Sequence, residues 1–313
     1  MGKKMGKKYL GVDIGGTFIK LGIVDGAGNV SMRREVPINR SGSETVMETL
    51  MHGIDALLDD SGFKAGDFDG MGVSAAGCIN TKTGCVAENG GNIPDWSFTS
   101  VTGPLSERYG LRATIANDGN CVALAEAWIG AAKGVKDVIC VVLGTGVGGG
   151  IISGGRLIEG SHGFGGEIGH FPTHADLLMT GEKKWGSHYE TFASTGALVR
   201  RALASGKDWL NGKEIFEAAA SGDADALKIL DGWTTEIAAG ITGLVHIFDP
   251  SVVLIGGGVS AQEELMIKPV RAKVLDTVTP DMASGLVLKA AELGNNAGMV
   301  GAVKYFIERE TGR

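Results

Sequence analysis

Cysteine, proline, aromatic residues and basic charge are all scarce in this sequence of 313 residues. The four cysteines, Cys78, Cys85, Cys121 and Cys140, stand singly with no CxxC pair. They read as reduced, mostly buried small hydrophobes, which excludes a secreted disulfide scaffold. Seven prolines are too few for a proline/glycine low-complexity chain. The formal charge of -7 gives no reason to expect a nucleic-acid surface. The one basic cluster, Lys3, Lys4, Lys7 and Lys8, reads as a solvated tail. No apolar stretch reaches the roughly 18–20 residues of a membrane span, and the first apolar run, YLGVDIGG, lacks the length and flanks of a signal peptide. A cytoplasmic chain without nucleic-acid or membrane partners is expected.

Glycine, by contrast, is abundant: 52 of the 313 residues, against a usual ~7%. With 43% hydrophobic and 21% charged residues, the chain has enough apolar surface to bury, and disorder is not the natural reading. The spacing is not the every-third-residue period of collagen. Twelve of the glycines fall in the 27 positions from Gly144 to His170. At that density the backbone can adopt positive φ and bring its N–H groups close to an anion.

The pattern along the chain is α/β. Strands at 9–14, 18–25 and 30–36 form a meander, and Ser43 is a plausible N-cap for a helix ending near Asp60–Gly62. A strand at 68–73 runs into a turn at Ser74–Gly77, and another at 111–117 ends in Ala-Asn-Asp. The segment DVICVVLGTGVGGGIISGG then repeats the pattern of YLGVDIGGTFIKLGIVDGAG some 130 residues on, which suggests two related domains with a boundary near 115–130. Helices follow at 190–205, 212–220, 223–248 and 261–277, strands at 252–256 and 286–289, and a last helix at 297–309.

Two familiar nucleotide motifs are missing. Gly11-Val12-Asp13-Ile14-Gly15-Gly16 leads into the strand-like Thr17-Phe18-Ile19-Lys20, not into the helix of a dinucleotide fold, which disfavours an NAD-dependent dehydrogenase. G-x-x-x-x-G-K-[S/T] is absent. What remains is a glycine-rich β-hairpin phosphate cradle, used twice. Asp13, where a strand meets the first cradle, suits Mg²⁺ held directly or through water, and reads equally as a turn-capping aspartate. Thr17 and Thr145 could offer hydroxyls to phosphate or be ordinary strand threonines. Asp118 could face a cleft or cap the helix NCVALAEAW. Asn117, Asp118, Glu167, His170 and Glu190 together match the hydrogen-bonding needs of a polyol.

With GVDIGGTFIK at 11–20, IANDGN at 115–120, LGTGVGGG at 143–150, EGSHGFGGEIGH at 159–170, LIGGGVS at 254–260 and GNNAGMVGA at 294–302 in this order, the chain resembles the ROK family of sugar kinases and related repressors. The resemblance implies an actin/hexokinase-like ATPase fold of two ribonuclease H-like α/β domains around a cleft. The domains would be 1–116, with a helix at about 299–313 packing back on it, and 117–298. It implies ATP-dependent phosphorylation of a hexose, glucose as first choice, with Mg²⁺ and a homodimer. Asp118 resembles the catalytic base. Asn92, Asn117, Glu167, His170 and Glu190 resemble sugar ligands. Gly15, Gly16, Thr17, Lys20, Gly144, Thr145 and Gly146 resemble the phosphate cradle, with Asp13 near Mg²⁺. Gly256, Gly257 and Gly258, with Asn295 and Ala297, resemble the adenosine region.

Many members carry a zinc motif, C-x-C-G-x-x-G-C-x-E, after the histidine. Here Gly181, Lys183 and His188 stand at the three cysteine positions, so no structural zinc site is expected. His170, His174 and His188 could in principle bind another metal, and His170 needs a different partner to hold its ring. Kinases for N-acetylmannosamine, mannose, fructose or a β-glucoside would keep most of the same polar set. A non-catalytic sugar-binding regulator is a second class, opposed by the intact Asp118 and both phosphate turns. With eight residues before the first expected strand, a repressor's helix-turn-helix is not expected.

Overall fold

The computed structural model describes residues 6–88, 93–178 and 186–312. The chain divides into two compact units. The first runs to Lys133 and takes in Arg156–Gly165 and the chain from Asn295; the second comprises Gly134–Gly155 and Gly166–Gly294.

In the first unit β1 (Lys8–Ile14), β2 (Phe18–Asp25) and β3 (Val30–Pro37) form the expected antiparallel meander. β4 (Gly70–Ala75) and β7 (Ala113–Asn117) extend it in parallel, giving the order β3-β2-β1-β4-β7. The period of two decides the faces. Leu10, Val12 and Ile14 of β1 join Leu50, Ile54 and Leu57 of α1 (Val46–Ser61) in one core. The alternate residues Gly11 and Asp13 lie against the C-terminal helix α11 (Ala297–Thr311), whose Met299 and Gly298 they approach. A small hairpin, β5 (Cys78–Asn80) and β6 (Cys85–Glu88), and α2 (Thr102–Tyr109) lie between β4 and β7 in the chain. Helix α3 (Asp118–Trp128) follows β7 without a loop.

The N-cap of α1 is Thr45, not Ser43. Thr45 has Glu48 three residues on, and each side chain bonds the other's backbone in a capping box. Ser43 instead accepts from the side chain of Asn39 at 2.7 Å. Gly62, at φ 70°, ends the helix as the C-cap.

The second unit is built on β8 (Val138–Leu143), β9 (Val147–Ser153), β11 (Val252–Gly256) and β12 (Val287–Ala290), with an antiparallel β8–β9 hairpin and parallel β8–β11 and β11–β12 pairs. The two-residue strand β10 (Arg156–Leu157) opens the segment assigned to the first unit. Around the second sheet are α4 (Ala175–Leu178), α5 (Tyr189–Ala193), α6 (Thr195–Ala204), α7 (Gly212–Ala220), α8 (Ala224–Phe248), α9 (Lys268–Thr277) and α10 (Pro280–Gly285). Trp233, Ile237 and Ile241 of α8 pack with Val141, Val253 and Tyr189 in its core.

Two expected helices are broken. The one at 190–205 divides at Ser194, which leaves the helical region (φ -67°, ψ 162°) to cap α6 through the Ala197 N–H. The one at 261–277 begins with a π turn over Glu263–Ile267 and becomes α-helical only from Lys268, where Pro269, lacking an N–H, sits in the first turn. No helix among the described residues is long and apolar enough to cross a membrane.

Candidate active site

In the first unit the sheet register assembles one polar row. Asp13 pairs with Lys20 across β1–β2 and with Ser74 across β1–β4, and Ser74 pairs with Ala116 of β7, two residues before Asp118. The fully buried Ser74 donates its hydroxyl to Asp13 Oδ1 at 2.8 Å. Lys20 Nζ lies 3.8 Å from Asp13 Oδ2 and donates to Asn295 Oδ1 at 3.4 Å. Gly298 rests directly on the carboxylate, since a Cβ there would come within 2.4 Å of Asp13 Cγ. Asp13, Lys20, Asn295 and Asp118 are thereby brought together. Ser74 is a member that sequence reading missed: the strand continues through Ala75, two residues into the expected turn. The signal that could have found it is the parallel register between two strands that each end at a glycine turn.

Asn117 is the N-cap of α3. Its Oδ1 accepts from the N–H groups of Gly119 (2.9 Å) and Asn120 (3.3 Å), and its Nδ2 donates to Gly77 O at 3.2 Å. The capping task considered for Asp118 thus falls to its neighbour. Asp118 is the first helical residue, with Oδ1 accepting from Gly119 N at 2.8 Å. An acidic group in the first turn faces the positive end of the helix dipole. Burial nevertheless pushes the Asp118 carboxyl up to about 6, and the charge of Asp13 adds to the rise. Burial also raises Asp13, against the opposing hydrogen bond from Ser74 and the charge of Lys20. Cys121, one helical turn on, is buried and its thiol is raised well above the usual value, first by burial and then by Asp13.

The hairpin turns differ in surroundings. A Cβ added at Gly16, Gly144 or Gly258 would meet no described atom within 4 Å, so a ligand could approach these backbones closely. Gly257, at φ 96°, is required by the fold itself, because a Cβ would fall 2.0 Å from Leu143 O. Gly256 is buried, while Thr17 and Thr145 are exposed on their turns; at Gly15 the nearest approach is 3.5 Å, to Phe18 O.

In the second unit Glu190 reaches the β8–β9 turn, its Oε2 accepting from Val147 N at 3.3 Å. A Cβ at Gly146 would come within 2.5 Å of that oxygen. The hydroxyl and N–H of Thr195 both donate to Gly144 O, at 2.5 and 2.9 Å. Gly146→Ala is therefore expected to displace a flexible carboxylate, not backbone. Its melting temperature should stay close to that of the parent, while a KM for sugar or nucleotide rises several-fold, as for a lost hydrogen bond of about 1 kcal/mol. Unchanged kinetics would show that the Glu190 contact carries no weight.

Glu167 and His170 are one short turn apart, with His170 Nε2 3.8 Å from Glu167 Oε2. His188 Nδ1 lies 3.3 Å from His170 Nδ1. Around them the chain closes on itself: Thr173 N donates to Ser187 O and Tyr189 N to Phe171 O, both at 2.9 Å, flanking a bridge between Pro172 and His188. The rings of Phe171 and Tyr189 stack at 5.2 Å. This backbone ladder and aromatic pair tie the ends of the 171–189 segment. His174 turns elsewhere, stacking on Phe192 with Nε2 3.6 Å from Glu236 Oε2. No group of three or more His, Cys, Asp or Glu that could hold a metal ion occurs among the described residues. Asn92, Gly181 and Lys183 lie outside the described residues.

The α/β fold, with mixed sheets and flanking helices, is that of the actin/hexokinase-like ATPases. The chain belongs to the ROK family, whose profile matches residues 9–309. It is 32% identical to a glucokinase of Thermotoga maritima over 96% of this chain and 98% of that protein. Among solved structures it resembles a ROK family glucokinase from Streptomyces griseus in complex with glucose and AMPPNP, at 34% identity and a TM-score of 0.78, covering 95% of this chain and 98% of that one. It also resembles a putative N-acetylmannosamine kinase from Listeria monocytogenes, at 29% identity and a TM-score of 0.82, covering 97% and 99%. By class it is an ATP-dependent sugar kinase.

Proposed function

We propose that the chain transfers the γ-phosphoryl group of ATP to the 6-hydroxyl of glucose. The observation that carries this reading is the partly buried Asp118 carboxylate at the start of α3, beside the row of Lys20, Asp13 and Ser74. A base with a pKa near 6 is charged at neutral pH and still accepts a proton readily. Asp118 takes the proton of the attacking hydroxyl as its oxygen bonds to the γ-phosphorus, and the bond to the ADP oxygen breaks in line. The open glycine turns supply N–H groups to the phosphate oxygens. Asn117, Glu167, His170 and Glu190 serve as sugar ligands, and Asn92 is proposed with them from its motif alone. Likeness to glucokinases over nearly the whole chain supports glucose as the acceptor.

Magnesium fits Asp13. The donor atoms near it are carboxylate and hydroxyl oxygens, as a hard cation prefers, and Mg²⁺ commonly takes one or two carboxylates with substrate phosphates. Two neighbouring acidic groups, Asp13 and Asp118, would also be relieved by a cation. When bound, the ion neutralises phosphate charge; Asp13 would hold it, directly or through water, while Ser74 and Lys20 fix the carboxylate.

The test is an ADP-release screen with Mg²⁺-ATP across glucose, mannose, fructose, N-acetylmannosamine, N-acetylglucosamine and β-glucosides. The highest kcat/KM is expected on glucose. A higher value on N-acetylmannosamine would replace glucose as the substrate, and no sugar-dependent ADP from folded protein would move the chain to the non-catalytic class.

Burial disfavours the charged form of Asp118, so its pKa is raised; it accepts a proton above about pH 6 and is already protonated below. In the ligand-free chain, a carboxyl ¹³C titration that disappears in Asp118→Asn should have its midpoint near 6. A midpoint near the ordinary ~4 would refute the raised value.

A further inference from the structure

The structure gives His188 a specific contact. Its Nδ1 lies 3.3 Å from His170 Nδ1, with the two rings edge-to-face at a centroid distance of 5.4 Å and an interplanar angle of 63°. Two imidazole nitrogens at this distance can share one hydrogen bond only if one carries the proton and the other a lone pair. On its other side His170 Nε2 faces Glu167 Oε2 at 3.8 Å. A lone pair pointed at that carboxylate would be repelled, whereas an N–H would be attracted. These two contacts favour the same arrangement: His188 Nδ1–H donating, His170 Nδ1 accepting, and the proton of His170 on Nε2.

We propose that His188 is a positioning residue that fixes the ring and the Nε2–H tautomer of His170, so that His170 offers a donor beside the acceptor Glu167 to the sugar. This deepens the reading of His170 as a sugar ligand and rests on it. A site that pairs one donor with one carboxylate acceptor matches adjacent hydroxyls, each of which can both give and receive a hydrogen bond. The position of His188 is itself determined by backbone. It lies in the bridge with Pro172, preceded by Ser187, whose carbonyl accepts from Thr173 N, and followed by Tyr189, whose N–H donates to Phe171 O. Burial, and next the neighbouring His170, hold the His188 imidazole below its ordinary pKa, which favours the neutral donor at neutral pH.

The experiment is a long-range ¹H–¹⁵N spectrum of the histidine side chains in the sugar-free protein, with His170 assigned through His170→Asn. His170 is expected as the Nε2–H tautomer, and its protonation on Nδ1 would overturn the proposal with no further variant. His188→Ala should convert His170 to a mixture of tautomers and raise KM for the sugar about tenfold, with kcat changed less than about twofold. His188→Asn, whose amide can donate from nearly the same place, should recover most of the lost affinity. An unaltered His170 tautomer and KM in His188→Ala would also overturn it. If His170→Asn leaves sugar affinity intact, the ligand reading of His170 fails; the tautomer in the sugar-free protein tests His188 separately.

Discussion

Replacing Asp118 with Asn is expected to lower kcat by about 10²–10⁴-fold, the range over which a positioned general base contributes. The amide keeps the shape of the carboxylate and its oxygen can still accept from Gly119 N, so the start of α3 is preserved. It removes the pair of lone electrons that receives the hydroxyl proton. It also removes a partly buried charge that Asp13 opposes, so the fold should not weaken. Sugar Kd by calorimetry and the melting temperature should therefore stay close to the parent while turnover collapses. Near-normal turnover would exclude Asp118 as the base.

Gly301→Ala should have the largest effect on stability. A Cβ at Gly301 would lie 1.7 Å from Cys121 O, where α11 meets α3, and both sides of that contact are backbone. Overpacking of this kind costs about 1–3 kcal/mol or more, against a gain of up to ~1 kcal/mol from removing a helical glycine. The clash wins, and the melting temperature should fall by several degrees. Gly243→Ala, inside α8 near its C-terminal end, is the control: its Cβ would meet no described atom within 4 Å, so propensity alone acts and stability should rise. Equal melting temperatures for the two variants would contradict this account. Because α3 begins with Asp118, Gly301→Ala also displaces the base, and its kcat should fall with its stability.

These glycines show what the sequence revealed and what it hid. Their number pointed to close backbone approaches, and at Gly16, Gly144 and Gly258 the backbone is indeed approachable. Gly11, Gly70, Gly72 and Gly301 serve another purpose, admitting α11 onto the sheet and onto α3: Phe306 fills the place of a side chain at Gly70, and the Ala302 carbonyl lies 2.2 Å from a Cβ position at Gly72. That contact joins the two ends of the chain; no local pattern encodes it, and the expectation of a last helix packing back on the first domain came from the family resemblance alone. The meander, the second hairpin and the start of α3 were legible because strand alternation and turn chemistry are local. Ser74 was not, because its meaning comes from register with Asp13. The break at Ser194 was hidden for the same reason, since Thr195 is anchored to Gly144, 51 residues away in the chain. His170 was legible as a group needing a partner, and the bridge at Pro172 and His188 brings the partner to it.

Product analysis after incubating the protein with Mg²⁺-ATP and glucose, using ³¹P NMR with 6-deoxyglucose as the control, reads the reaction itself. Glucose 6-phosphate and ADP are expected in equal amounts, with no sugar-dependent ADP from 6-deoxyglucose. Phosphate on another hydroxyl of glucose, or no glucose-dependent ADP from folded protein, would contradict the proposed transfer.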